Sequence, residues 1–341
     1  MTTSTTLPTA PPAALPKVRL DWTPLALAPL LMLLAFPLVG SPSTWLTLTI
    51  AGLAMGMIIF VVSSGLTLVF GLMDVLNFGH GAFIALGAYV AASVLLPMAG
   101  WVEADSLVQN LAVFALAIAA AMVAAGAVGL FFERVVVRPV YGQHLKQILI
   151  TMGGMIVAEQ LIKAIWGPET IALQVPTTFR GAVLLGDAAI EKYRLIAMAL
   201  GLVIFIAMVL LLNRTRIGLL IRAGVENREM VEALGYRIRR LFIGVFVVGA
   251  GLAGLGGVLW GLYQQNITAA IGAQVNVLIF IVIIIGGLGS TTGCFVGALL
   301  VGLMANYTGF LYPKVALFSN ILLMMLILLW RPQGLFPVAR R

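Results

Sequence analysis

RTRIGLLIRAGVENREMVEALGYRIRR, residues 214–240, is a polar island in an apolar chain. It holds seven of the 20 basic residues of a protein that is 62% hydrophobic. Charged side chains are expensive in lipid, so this stretch lies outside the bilayer. Its apolar residues Ile217, Leu220, Ile221, Met230 and Leu234 recur at roughly helical spacing. Arg222 and Glu226 stand four apart and can pair on one helix face, and Gly235 supplies a helix stop. On the residues alone, two readings stay open: an amphipathic loop on the headgroups, or a docking helix for another protein.

The sequence around the island decides the fold. Apolar stretches fall at 25–39, 45–65, 79–98, 108–132, 147–166, 193–212, 241–262, 275–290, 294–310 and 315–330. Most have the length that spans a bilayer core. With a mean hydropathy of +1.11 and only 9% charged residues, the chain exceeds what a soluble domain can bury. The alternating ten-residue pattern of a membrane β-barrel is absent. The predicted fold is therefore an all-α polytopic membrane protein with about 8–10 transmembrane helices. The uncertain span count comes from the short first stretch and from the pair around Gly286–Gly293, which also reads as one broken helix with a re-entrant turn.

Basic residues set the orientation. With the N-terminus inside, 15 of the 20 fall on the inner side and five outside. Both termini are then cytoplasmic. The net charge of +8 follows from this topology and does not call for nucleic acid. Residues 1–23 read as a disordered cytoplasmic extension and not as a signal peptide, since no early basic region or cleavage site is present. Residues 24–336 form the membrane domain and 337–341 a tail. The outer loop 167–192 reads equally as a small external helix, a rest for a partner, or a solvated connector.

Polar residues inside the apolar stretches are functional candidates by default. Asp74, Asn77 and His80 stand three apart and share a face if that stretch is helical. Asp74 reads as a capping residue, whereas Asn77 and His80 are candidate pathway or structural hydrogen-bonding groups. Glu159 and Gln160 are the other candidates, near the outer end of the fifth stretch. Glu133 is expected to pair with Arg134 or Arg138. Gly249, Ala253, Gly257 and Gly261 recur every four residues, a small-residue ladder for close helix packing. No metal constellation is visible: the single cysteine, Cys294, and the two histidines, His80 and His144, cannot form one. IGGLGSTTG at 285–293 is glycine-rich but lacks the Gly-Lys-Ser/Thr of a P-loop, so ATP hydrolysis is not expected of this chain.

Five blocks carry a family likeness: GLTLVFGLMDVLNFGHGAFIALGAYV at 65–90, ERVVVRPV at 133–140, the stretch 214–261, GGLGSTTGCFVGALLVGL at 286–303, and RPQGLF at 331–336. In this order and spacing, the chain resembles the membrane permeases of ABC importers for branched-chain amino acids, LivH type. The resemblance implies that residues 214–240 are the coupling segment that docks on an ATP-binding subunit, with Arg222, Ala223, Asn227, Ala233 and Gly235 at the family's recurrent positions. Glu226 and Glu229 join them as charged candidates. It also implies two cytoplasmic ATP-binding subunits holding ATP and Mg, a homologous second permease, an external substrate-binding protein, and a place in the bacterial inner membrane. No cofactor is expected on this chain itself. Related permeases carry urea or short amides, which is the alternative reading. A gradient-driven carrier would need more intramembrane ionisable groups and inverted repeats, and a non-transporting scaffold leaves the docking helix without a purpose.

Overall fold

The computed structural model describes residues 23–226 and 228–337. Most of the expected N-terminal extension, Asn227 and the last four residues lie outside the described residues. The first helices are α1 (Thr23–Val39), α2 (Pro42–Met73), α3 (His80–Leu95), the short α4 (Ala99–Val102), α5 (Leu107–Phe132) and α6 (His144–Trp166). Strands β1 (Ile171–Ala172), β2 (Ala182–Leu185) and β3 (Ala188–Glu191) follow. Then come α7 (Lys192–Arg214), α8 (Arg216–Glu226), α9 (Arg228–Ala233) and α10 (Ile238–Gln264). β4 (Asn266–Ile267), α11 (Ile271–Gly286), α12 (Thr291–Leu311) and α13 (Ala316–Trp330) complete the described chain.

The protein is an all-α polytopic membrane protein. Six of these helices, α2, α5, α6, α7, α10 and α12, are long and apolar enough to cross a membrane, and α1, α3, α11 and α13 are shorter apolar helices. Each of the ten expected stretches is one of these ten helices. The doubtful pair at 275–310 is two separate helices. Gly287, at φ 97°, ends α11, and the Ser290 hydroxyl, accepting from the Gly293 amide at 3.1 Å, starts α12. The C-terminal block folds back on this corner: the amides of Leu335 and Phe336 donate to the Ile285 and Gly286 carbonyls, both at 2.9 Å. Those are the last carbonyls of α11, which would otherwise lack partners.

Burial orders the bundle. The apolar window of α2 is 89% buried and that of α6 only 11%. α2 and α10 form the centre, while α6 and α7 lie at the edge with Leu149, Ile156, Leu161, Val203 and Leu210 exposed. Lipid supplies no hydrophobic force between helices, so contact relies on van der Waals packing at small residues. Along α10, Gly249 meets the backbone of Gly65 in α2, and Gly257 lies against the Ile84 carbonyl in α3. Ala253, between them, is fully buried, and Gly261 faces Ile267 and Leu173.

Chain connections alternate between two ends. At one end β1 pairs antiparallel with β4, Ile171 opposite Ile267, so the α6–α7 and α10–α11 connectors share a face. At the other, the side chains of Asp74 and His144 approach to 3.9 Å. We call this second end, with the arginines of α8–α10, the inner face. The outer loop is more ordered than a solvated connector and has no α-helix. β2 and β3 form a hairpin turning at Gly186, φ 62°, and Ala188 and Ile190 of β3 are buried. Asn110 fixes the loop's approach: its carbonyl oxygen accepts from the Thr178 amide at 2.8 Å, while its amide donates to the Trp101 and Ala104 carbonyls.

Candidate functional site

The polar island is helical over Arg216–Glu226 and Arg228–Ala233. α9 closes in a Schellman turn: the Tyr236 amide donates to the Val231 carbonyl at 3.3 Å and the Gly235 amide to the Glu232 carbonyl at 3.0 Å. Gly235, at φ 87°, takes the left-handed position such a turn requires. Val231 and Ile238 are buried, and Gly224 of α8 lies close to the Ile238 side chain.

What the island exposes is unusual for a segment outside lipid. Leu219, Met230, Leu234 and Tyr236 are all exposed, with Leu234 at 70%. Of the helically spaced apolar residues, Met230 and Leu234 are exposed, and Val231 between them is buried. A cleft beside the island is lined by Arg134, Glu232, Tyr236, Arg237, Arg239 and Arg240. Ala223 is half-buried, and Ala233 and Gly235 are exposed. For Arg222, Glu226 and Glu229 the structure describes the helical backbone, and Asn227 lies outside the described residues.

The second locus is a break inside the bundle. Asp74, Asn77 and His80 do not share a helix face. Asp74 adopts φ 53°, ψ 36° and ends α2, and α3 starts only at His80. Non-helical backbone at membrane depth must find partners within the protein. Here three side chains supply them. Gln147 Oε1 accepts from the Leu76 amide at 3.4 Å, and Thr151 Oγ1 accepts from the Phe78 amide at 3.1 Å. Asn276 Nδ2 donates to the Phe78 carbonyl at 2.9 Å. Asn77 Oδ1 accepts from the Gly79 amide at 3.0 Å, and His80 Nε2 lies 3.1 Å from the Val62 carbonyl. Both side chains are buried, each with a polar atom close to backbone. Gln147, Thr151 and Asn276 are not identifiable from sequence pattern, because their partners are backbone atoms 71, 73 and 198 positions away.

Thr151→Val keeps the shape but removes the acceptor of a buried amide. It should destabilise the protein by about 1–3 kcal/mol. Thermal unfolding of the detergent-solubilised protein checks this, with Thr151→Ser expected to stay near the unmodified protein.

Glu133 pairs with neither Arg134 nor Arg138. The chain turns there into a π-helix, Glu133–Val137, the Tyr141 hydroxyl donates to Glu133 Oε1 at 2.8 Å, and Arg134 faces the inner cleft. Gln160 is exposed on α6, whereas Glu159 is partly buried and accepts from Lys163 Nζ at 2.7 Å. Among the described residues no group of histidine, cysteine, aspartate and glutamate side chains could hold a metal ion.

Comparison with known proteins agrees with this architecture. Residues 48–330 match the family model described as branched-chain amino acid transport system, permease component. The chain is 30% identical over 296 residues to the high-affinity branched-chain amino acid transport system permease protein BraD of Pseudomonas aeruginosa, covering 83% of this chain and 93% of that one. It is 28% identical over 300 residues to the corresponding protein LivH of Escherichia coli K12, covering 83% and 92%. With LivM of the same organism the identity is 27% over 341 residues, covering 91% and 74%. No solved structure gives a significant match. The chain belongs to the family of branched-chain amino acid transport system permease components.

Proposed function

We propose that this chain is one membrane half of an ATP-driven importer that moves branched-chain or related amino acids across the bacterial inner membrane. In this reading residues 24–336 are the permease domain, and both termini are cytoplasmic. Two ATP-binding subunits carry ATP and Mg, a homologous second permease completes the pathway, and an external binding protein delivers the substrate. The observation that carries the reading is the exposed apolar set on α8 and α9, Leu219, Met230 and Leu234, on a segment too charged for lipid. Aliphatic side chains left in water at this density mark an interaction site. The ATP-binding subunit is the occupant, and Arg222, Ala223, Glu226, Asn227, Glu229, Ala233 and Gly235 belong to the docking segment.

Transport then needs a membrane domain with two states that both the ATP site and the substrate bias. α10 follows the docking segment directly and packs along α2, α3 and α5. Movement of residues 214–240 tilts it and switches the pathway from outside-open to inside-open. The test is gentle purification from native membranes with identification of every stoichiometric partner. P-loop ATPases and a second permease are the expected result. Recovery of this chain alone, stable and transport-competent, overturns the reading.

A further inference from the structure

The basic cleft on the inner face has room for a ligand. It holds about 610 Å³, within the ~300–1,000 Å³ of small-molecule sites. Two parts of the chain build it. Arg134 comes from the inner end of α5, and Tyr236, Arg237, Arg239 and Arg240 come from the turn into α10 and its first residues. All four arginines are exposed, and among the described residues none of them forms an ion pair. Glu232 is the one acid among the lining residues, so the cleft is strongly positive.

The level of the cleft and the surface above it select the ligand. The apolar run of α5 ends at Phe132 and that of α10 begins at Leu241. The arginines therefore stand where two spans leave lipid, at the depth of the headgroup phosphates. One turn deeper the surface is apolar and open. Arg240, Gly244 and Val248 are four apart on α10 and share a face. Gly244 is exposed, a Cβ there would meet nothing within 4 Å, and Val248 is exposed beyond it. On α5, Phe131 is exposed one turn before Arg134. Guanidinium groups match phosphate oxygens in charge and in geometry. Arginines below and open apolar surface above fit the two halves of a phospholipid, an anionic head and its acyl chains. Inorganic phosphate or an acidic protein segment would use the arginines alone.

We propose that this cleft binds the headgroup of an anionic phospholipid of the inner leaflet, with an acyl chain against Gly244 and Val248. Arg134 and Arg240 take the phosphate from the two helices, and Arg237 and Arg239 add to the field that retains it. The bound lipid ties the end of α5 to the start of α10, whether or not residues 214–240 dock an ATP-binding subunit.

The test uses the full chain, purified in detergent and given phosphatidylglycerol or phosphatidylcholine with the same acyl chains. Native mass spectrometry counts the lipid retained. Phosphatidylglycerol should be held roughly thirtyfold more tightly, the effect of two arginines acting on one anionic head. Arg134→Gln combined with Arg240→Gln should remove most of that preference. Both side chains are exposed, so the variant should fold, which an unchanged elution in size-exclusion chromatography checks. Lys146→Gln combined with Arg216→Gln removes the same charge from exposed positions outside the cleft and should keep the preference. Equal retention of the two lipids by the parent, an unchanged preference in Arg134→Gln with Arg240→Gln, or an equal loss in the control overturns the inference. Displacement of the lipid by inorganic phosphate also overturns it, since the site would then serve a soluble anion. The complete transporter from native membranes should still carry phosphatidylglycerol. Its absence there would assign the cleft to a protein partner, overturning the lipid site and leaving the transport reading standing.

Discussion

Met230→Asp combined with Leu234→Asp should reduce ATP-driven uptake to background while leaving the chain in the membrane at normal abundance. Both side chains are exposed, at 61% and 70%, so the charges meet water and not a core in the isolated chain. Surface changes of this kind usually move stability by less than about 0.5 kcal/mol. In the assembled transporter the same side chains would be covered. A central interface residue typically carries about 2 kcal/mol or more, roughly thirtyfold in affinity. Two neighbouring losses, each with a buried carboxylate added, should weaken docking of the ATP-binding subunit by roughly a hundredfold or more. Co-purification of that subunit and uptake in the same vesicles measure the two consequences together. Charge reversal at Arg222, Glu226 and Glu229 should likewise uncouple uptake from ATP. Normal uptake in either variant would remove the docking assignment.

The second large effect is on folding. Gly257→Leu places a side chain where α10 and α3 touch backbone to backbone. Even a Cβ there would collide with the Ile84 carbonyl oxygen and come within 3.0 Å of the Ala88 amide nitrogen. Neither obstacle is the end of a flexible side chain, so relief requires the helices to move apart. Overpacking costs about 1–3 kcal/mol in tolerant sites, and this site belongs above that range. Little folded protein should survive extraction, read as the monodisperse fraction in size-exclusion chromatography. Gly244→Leu, on the same helix, is the control: a Cβ there meets nothing within 4 Å, and the variant should behave like the parent. Equal yields from the two variants would show that the ladder does not set the packing.

Much of the architecture is legible in the sequence because lipid enforces it. A span must be long, apolar and internally hydrogen-bonded, so composition and length locate ten helices, and periodic glycines mark where α10 approaches its neighbours. The island is equally legible, since charge cannot enter the bilayer. What the sequence does not reveal is direction. Met230 and Leu234 fit a helical apolar stripe, yet both are exposed and Val231 between them is buried. Likewise, the spacing of Asp74, Asn77 and His80 carries information only if the chain is helical there. The left-handed conformation of Asp74 cancels that premise. The clamp made by Gln147, Thr151 and Asn276 leaves no periodic trace, because a side chain that serves distant backbone has no partner in its own neighbourhood.

The pairing of β1 with β4 changes how α10 behaves mechanically. At one end α10 emerges from the inner peg; at the other it runs through Gln265, whose carbonyl accepts from the Leu173 amide at 2.8 Å, into the two-residue ladder with the α6–α7 connector. A helix of 27 residues is a rod about 40 Å long. Its glycine-rich middle sits among α2, α3 and α5, which makes that middle the natural fulcrum. A tilt of about 5° around it would carry each end roughly 2 Å in opposite directions. In the proposed transport cycle the outer ladder would be the far arm of a lever whose near arm is residues 214–240, and a push on one face of the membrane would be felt at the lip of the other.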